Sequence, residues 1–416
     1  MMRKIDTILR SMSNQALNAH RECPDLTNVR PYKDVPGPKP IPILGNTWRL
    51  FPVIGQYEIG DVAKISQMFH EEYGEIVRLS GLIGRPDLLF VYNANEIEKM
   101  YRQEGPTPFR PSMPCLVHYK GVARRHFFGD LGGVVGIHGE PWKSFRTRVQ
   151  KPVLQPQTVR KYITPIAKVT QDFIERICTK HIDAALVRLK NRKSINEADL
   201  SLVERILADE KDPKIAYILA LDLILVGIDT ISMAVCSILY QLATRTEEQE
   251  KVYYELKQIL PDPSIPLTTK HVEQAVYTKA FIREVFRVYS TVIGNGRTLQ
   301  ADAVICGYQI PKGVQVVFPT LVTGNMEEWV KDAKSFKPER WLKEDVNDKL
   351  HPFASLPYGH GARMCLGRRF ADLEMQVLLA KLIRNYKLEY HYEPLKYRVT
   401  FMYAPDGDLK FKLVKR

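Results

Sequence analysis

The segment Tyr358-Gly-His-Gly-Ala-Arg-Met-Cys-Leu-Gly367 brings together residue types that suit one kind of chemistry. Cys365 stands just before a stretch in which apolar Phe370, Leu373, Val377, Leu378 and Leu382 recur at helical spacing. A cysteine there has its thiolate stabilised by the helix dipole and by free N–H groups. Gly361 and Gly367 present no Cβ, so the backbone can approach something flat and close. Arg363, two residues before the cysteine, reaches a carboxylate at that object's edge. A thiolate held proximal to haem iron needs this combination, because the anionic sulfur pushes electron density toward bound oxygen. Read alone, the segment also describes a buried structural cysteine in a glycine-rich turn.

The elements that position these residues are mostly helical. A proline-dense stretch, Val35 to Gly45, is extended, because each proline fixes φ and restrains its predecessor, and it marks the start of the folded body. A helix-like stretch, Val62 to Tyr73, leads into strand-like runs at Ile76 to Leu79 and Leu88 to Tyr92. A loop rich in proline and glycine follows from Gly105 to Gly139. Helical patterns dominate from Trp142 to Asn295, with breaks expected at Pro152, Pro156, Pro165, Pro213 and Pro261-Asp-Pro263. Strand-like segments return at Ala303 to Phe318 and Arg398 to Phe411, bracketing a helix from Leu366 to Asn385. The fold class is mainly α with minor β. Ile215 to Ala243 is apolar enough to suggest a membrane span, but Asp222 and Asp229 interrupt it, so a long buried helix is expected.

The 416 residues allow a sizeable core, and 45% hydrophobic with 26% charged residues is the balance of a soluble globular chain. The formal charge of +13 suggests an acidic partner or an anionic membrane surface. Nucleic acid is not expected, since the chain has neither a basic run with interleaved aromatics nor Cys and His pairs at finger spacing. Six scattered cysteines without a Cys-x-x-Cys pair indicate neither a zinc site nor a disulfide framework. At the N-terminus Arg3, Lys4 and Arg10 meet a single acid, Asp6, and Ile5, Ile8, Leu9, Met12, Ala16 and Ala19 share one helical face. That pattern reads as a mitochondrial transit peptide with a linker, residues 1 to 34.

With three further segments in the same chain order, the Cys365 segment resembles the Phe-x-x-Gly-x-Arg-x-Cys-x-Gly signature of the cytochromes P450, with Tyr358 in place of the usual Phe. Glu284-Val-Phe-Arg287 is similar to the family's Glu-x-x-Arg pair, and Phe336-Lys-Pro-Glu-Arg-Trp341 to its Pro-Glu-Arg-Phe segment. The resemblance implies that Arg340 completes a structural charge network with Glu284 and Arg287. Val226-Gly-Ile-Asp-Thr-Ile-Ser232 resembles the oxygen-activation motif, which makes Gly227 a close approach to haem or ligand and Asp229 and Thr230 a proton relay. Trp142-Lys-Ser-Phe-Arg146 matches the Trp-x-x-x-Arg helix, and Arg297 matches the family's other propionate ligand.

The resemblance therefore implies a haem domain from residue 35 to 416, of P450 fold, an α-rich haem domain with small β-sheets. Its cofactor is haem b, with Cys365 as iron ligand and Trp142, Arg146, Gly227, Arg297, Gly361, Arg363 and Gly367 around the cofactor. It implies hydroxylation of a lipophilic small molecule, steroid-like or xenobiotic, with O2. Lys279, Arg283, Arg368 and Arg369 resemble the ferredoxin-docking positions of animal mitochondrial P450s. An adrenodoxin-type ferredoxin, the matrix side of the inner mitochondrial membrane and peripheral membrane association are the expectations. Only 81 positions separate Arg146 from Gly227, where the family accommodates several more helices, so the distal roof is expected to be shortened or missing and apolar pocket surface exposed. A haem-binding chain without monooxygenase turnover is the alternative, and a thiolate-haem isomerase or dehydratase a further one.

Overall fold

Short, nearly continuous apolar runs form strands β1 (Ile76–Leu79) and β2 (Leu88–Val91), which pair antiparallel with Ile76 opposite Val91. The computed structural model describes residues 29–110, 113–129, 131–168, 214–342, 350–399 and 402–416. Later in the chain come β3 (Asn295–Thr298), β4 (Ala303–Ile305), β5 (Tyr308–Ile310) and β6 (Gln315–Phe318). The main sheet runs β1-β2-β6-β3, with β2 and β6 parallel and β3 antiparallel to β6, so that Arg297 stands opposite Val316. Strands β7 (Tyr386–Glu389), β8 (Tyr397–Val399), β9 (Tyr403–Pro405) and β10 (Lys412–Lys415) complete three small antiparallel ribbons, β4 with β5, β7 with β10 and β8 with β9. The fold is mainly α with minor β, as expected.

The longer helices are α1 (Val62–Tyr73), α2 (Ala94–Gln103), α3 (Gly139–Leu154), α4 (Lys214–Thr244), α5 (Thr246–Ile259), α6 (Val276–Val288) and α7 (Arg368–Asn385). Asn93 caps α2 by accepting hydrogen bonds from the N–H groups of Asn95 and Glu96, and the helix stops at Glu104, which delivers Tyr101 and Glu104 to one end. The main core packs α4, α5, α6 and α7 through residues such as Ile238, Leu242, Val252, Phe281, Val285 and Val377. A second core joins α3 to the start of α4 and to the loop before α7: Phe145, Val149, Ile215, Ile218 and Leu219 close around Leu366.

Glu284 and Arg287 are fully buried, and their network ties α6 to the segment before α7. The Glu284 carboxylate accepts from Arg287 Nη2 at 2.7 Å, Arg340 Nε at 3.1 Å, Trp341 Nε1 at 2.9 Å and Lys337 N–H at 2.8 Å. Arg287 also donates to the carbonyls of Gly324, Ala333 and Ser335, so the one carboxylate shared by two buried guanidiniums is supplemented by backbone acceptors.

Three expectations are corrected. Pro152 does not break its helix: α3 continues two residues further to Leu154, because a proline near the end removes one intrahelical bond and little helix remains to lose. The glycine- and proline-rich loop contains short helices, Pro114–His118 and Arg125–Phe128. The folded body also begins before Val35, since Arg30 bridges to Tyr308, donates its backbone N–H to the Gly307 carbonyl at 3.0 Å and lies 3.8 Å above the Tyr308 ring. Residues 1 to 28 of the expected transit segment lie outside the described residues, as do residues 169 to 213 of the stretch in which helical patterns were expected to dominate.

Candidate active site

The loop before α7 folds back on itself so that the N–H of Cys365 donates to the Tyr358 carbonyl at 3.0 Å and that of Met364 to the Gly361 carbonyl at 3.0 Å. Gly361 turns with φ +75, and a Cβ there would stand 2.2 Å from Glu104 Oε1. The left-handed backbone requires the glycine, and the group its Cβ would meet is a protein carboxylate, a neighbour that the sequence did not reveal. Cys365 lies in a recess, accessible at its side chain yet deep enough that burial raises its thiol pKa. The N–H of Gly367, Arg146 and Arg110 oppose that shift, and all three favour the thiolate.

Arg146, one turn after Trp142 on α3, is buried and donates to the Met364 carbonyl at 2.9 Å. Trp142 is buried beneath Arg363, whose guanidinium lies 3.7 Å from the ring centroid. Arg363 donates to the carbonyls of Pro108 at 3.1 Å and Ile137 at 2.7 Å and meets His138 Nδ1 at 3.0 Å. Arg297, on β3, pairs with Glu104 at 2.6 Å and donates to the His360 carbonyl at 3.3 Å. Arg110, Arg146, Arg297 and Arg363 therefore surround the recess. Burial first, and then the other three guanidiniums, pull Arg363 down to about 9. Arg110 is lowered likewise, by burial and then by Arg297.

Such mutually repelling buried cations call for an anion beyond Glu104. The Tyr101 hydroxyl lies among Arg297, Glu104 and Arg110, and it is buried without a hydrogen-bond partner. A dianionic ligand with a flat face toward Cys365 satisfies the excess charge, the orphaned hydroxyl and the accessible sulfur together. Haem, with two propionates and an iron that takes an axial thiolate, has those features, and the residues present fit it.

The long helix contributes differently. The hydroxyl of Thr230 donates to the Val226 carbonyl at 2.8 Å, Asp229 is exposed, and a Cβ at Gly227 would meet nothing within 4 Å. These residues lie beyond the part of α4 that packs on Leu366. On the same stretch Ile224, Leu225 and Ile228 are 60%, 53% and 61% exposed. Among the basic residues, Lys279 and Arg283 lie on α6, while Arg368 and Arg369 open α7.

Sequence reasoning passed over Tyr101, Glu104, Arg110 and His138. It also passed over Lys120, which forms a buried ion pair with Asp222 and donates to the Gly132 carbonyl at 2.9 Å and the Val135 carbonyl at 3.2 Å. Asp222 in turn accepts from the N–H groups of Val134 and Val135. Burial pushes its carboxyl up while Lys120 pulls it back. The available signal was Asp222 itself, a carboxylate within an apolar helix that needs a partner.

A mainly α fold with a recessed cysteine before a helix and four arginines around it defines a haem-thiolate protein. A family model described as Cytochrome P450 matches residues 209–402. The chain is 55% identical to "Probable cytochrome P450 301a1, mitochondrial" of Drosophila melanogaster, over 93% of this chain and 88% of that protein. It is 38% identical to "Probable cytochrome P450 49a1" of the same fly, over 93% and 83%, and 27% identical to "Cytochrome P450 12b1, mitochondrial" of Drosophila acanthoptera, over 91% and 89%. The chain belongs to the cytochrome P450 family and is a haem monooxygenase by class. The first of these matches spans 485 aligned positions against 416 residues in this chain, which therefore lacks positions that the relative has.

Proposed function

We propose that this chain is a mitochondrial monooxygenase, with a haem domain that takes in Arg30 and runs to residue 416, that hydroxylates a lipophilic small molecule, steroid-like or xenobiotic. In this reading O2 is the oxidant and an adrenodoxin-type ferredoxin supplies the electrons. The observation that carries the reading is the desolvated arginine cluster around the recessed Cys365. Haem b, when bound, supplies the oxygen-activating iron. Cys365 would ligate its iron, Arg110, Arg146, Arg297 and Arg363 would hold its propionates, and Trp142 supports Arg363. Gly227 and Gly367 would leave the cofactor's space free of side chains, and Gly361, whose missing Cβ faces Glu104, would give the cysteine loop its turn.

The Thr230 hydroxyl, donating to the Val226 carbonyl, keeps its lone pairs free to accept, so it holds and passes a proton at its own oxygen. Exposed Asp229 beside it exchanges that proton with water. Lys279, Arg283, Arg368 and Arg369 give an acidic ferredoxin a basic face. The word mitochondrial in the names of two relatives supports a mitochondrial location, and the basic N-terminal segment supports the matrix. Exposed Ile43, Val53 and Ile54 and the charge of +13 support peripheral contact with the inner membrane.

Ferredoxin-supported turnover of Thr230→Ala is the test. Electron consumption should persist while product falls about tenfold or more, and unchanged coupling refutes the proton assignment. The apolar exposure on α4 and the positions missing relative to its relative favour a second reading, a haem-binding chain whose distal roof is too short for turnover. A thiolate-type reduced carbon-monoxide spectrum without substrate-dependent turnover selects it.

A further inference from the structure

One of the arginines on the basic face is paired with a carboxylate of its own helix. Arg368 Nε lies 3.6 Å from Asp372 Oδ2, one helical turn on, with the side chains 42% and 35% exposed. Arg283, exposed on α6, acts electrostatically on the same carboxylate. The other oxygen, Asp372 Oδ1, accepts a hydrogen bond from the Tyr358 hydroxyl at 2.6 Å. Tyr358 also carries the carbonyl that receives the Cys365 N–H, and the Arg368 guanidinium lies 5.4 Å from its ring centroid. The family signature has Phe at this position, so the hydroxyl and its bond to Asp372 are a departure of this chain from the signature.

We infer that Asp372 is the internal counter-ion of Arg368 on the docking face, that Tyr358 restrains it by holding one of its oxygens, and that an acidic electron carrier docks by drawing Arg368 away from it. The inference rests on the ferredoxin reading above and deepens it, making Tyr358 and Asp372 positioning residues for electron delivery. The physical argument is one of competition. A carboxylate on the partner gains Arg368 only as Asp372 gives it up, and an exposed pair of this kind is worth up to about fivefold in affinity. The Tyr358 bond weakens the competitor: with Oδ1 engaged, Asp372 offers the guanidinium one oxygen, where a free carboxylate offers two in parallel.

Two substitutions therefore act in opposite directions. Asp372→Asn removes the competing charge while its carbonyl oxygen still accepts from Tyr358, so ferredoxin binds up to about fivefold more tightly at low ionic strength. Tyr358→Phe frees both oxygens for Arg368, so ferredoxin binds more weakly. A purely structural role for the pair would weaken binding in both variants. The experiment titrates the haem-loaded full chain and each variant with an oxidised adrenodoxin-type [2Fe–2S] ferredoxin at low and high salt, and both differences should shrink as salt screens them. The reduced carbon-monoxide spectrum of each preparation checks the thiolate site. If the Asn variant loses that signature, the salt dependence of Tyr358→Phe decides: a weakening that vanishes at high salt supports the inference, and one that persists there is structural and overturns it. Wild-type binding with Asp372→Asn no tighter, or with Tyr358→Phe no weaker, overturns this inference only. A wild-type chain that does not bind the ferredoxin overturns the docking reading and this inference with it.

Discussion

Replacing Glu104 by Gln separates the stability of the haem-free pocket from that of the loaded one. Glu104 sits 2.6 Å from Arg297, and the two side chains are only 11% and 8% exposed. Removing one partner of so buried a pair costs about 3–5 kcal/mol, because the remaining charge is stranded. In the haem-free chain four guanidiniums would then face one another without a counter-charge from Glu104. At about 2.1 cal/mol/K of unfolding entropy per residue, that cost lowers the melting temperature of a chain this long by roughly 3–6 °C. Haem restores an anion to Arg297, so most of the loss is recovered on loading, and the stabilisation gained from haem is larger in the variant than in the wild type. Paired thermal melts of haem-free and haem-loaded protein measure both quantities, and transfer of haem to apomyoglobin measures its retention. A loaded variant that melts as far below wild type as the haem-free one, or that releases haem faster, would refute the reasoning, because Glu104 would then brace Arg297 for the cofactor.

The remaining predictions concern the loop that Arg363 grips. His138 is held neutral, by burial first and then by Arg363, so its folded pKa lies below the unfolded value near 6.5 and the unfolded chain takes up the proton first. Its contribution to stability is complete above about pH 6.5 and is lost as pH falls through the folded value. His138→Asn should flatten that acid limb in urea midpoints measured against pH, and an unchanged slope would exclude His138 as its source. Lys120→Met strands buried Asp222 and should cost about 3–5 kcal/mol in a urea titration. It should also speed haem transfer to apomyoglobin through the loosened loop, and a variant that unfolds earlier yet keeps haem as long would show that the loop does not support the cofactor.

What could be read from the sequence was what is local. The Cys365 segment, the Trp142 and Arg146 pair and Glu284 with Arg287 each declare themselves within ten residues, because a helix turn or a tight loop fixes their geometry. Glu104 and Arg297 are 193 positions apart and Lys120 and Asp222 are 102 apart, so no spacing rule connects them. Asp222 and Asp229 looked equivalent on the helix, yet only Asp222 is buried, because Lys120 arrives from a distant loop to neutralise it. Both ends of α1 were legible because its apolar residues recur at helical spacing, and the C-terminal end of α4 was legible to within one residue because its nearly continuous apolar stretch stops there. Pro152 misled because its cost depends on how much helix follows it.

The distal helix and the cysteine loop are joined by the same short segment. Asp222 on α4 takes the N–H groups of Val134 and Val135, and Lys120 takes the carbonyls of Gly132 and Val135. Arg363, two residues before the cysteine, takes the Ile137 carbonyl from the other side. Gly133 is required between them, since a Cβ there would stand 2.2 Å from Asp222 Oδ2 and the backbone has φ +81. A displacement of α4 therefore acts on Arg363 through hydrogen bonds that are already made, and it does so without passing through the exposed Ile224, Leu225 and Ile228. A shorter distal roof would be compatible with a thiolate site for this reason: among the described residues, the cysteine loop is held to α4 by the packing of Ile215, Ile218 and Leu219 on Leu366 and, through the segment that Arg363 grips, by the buried Lys120 and Asp222 pair.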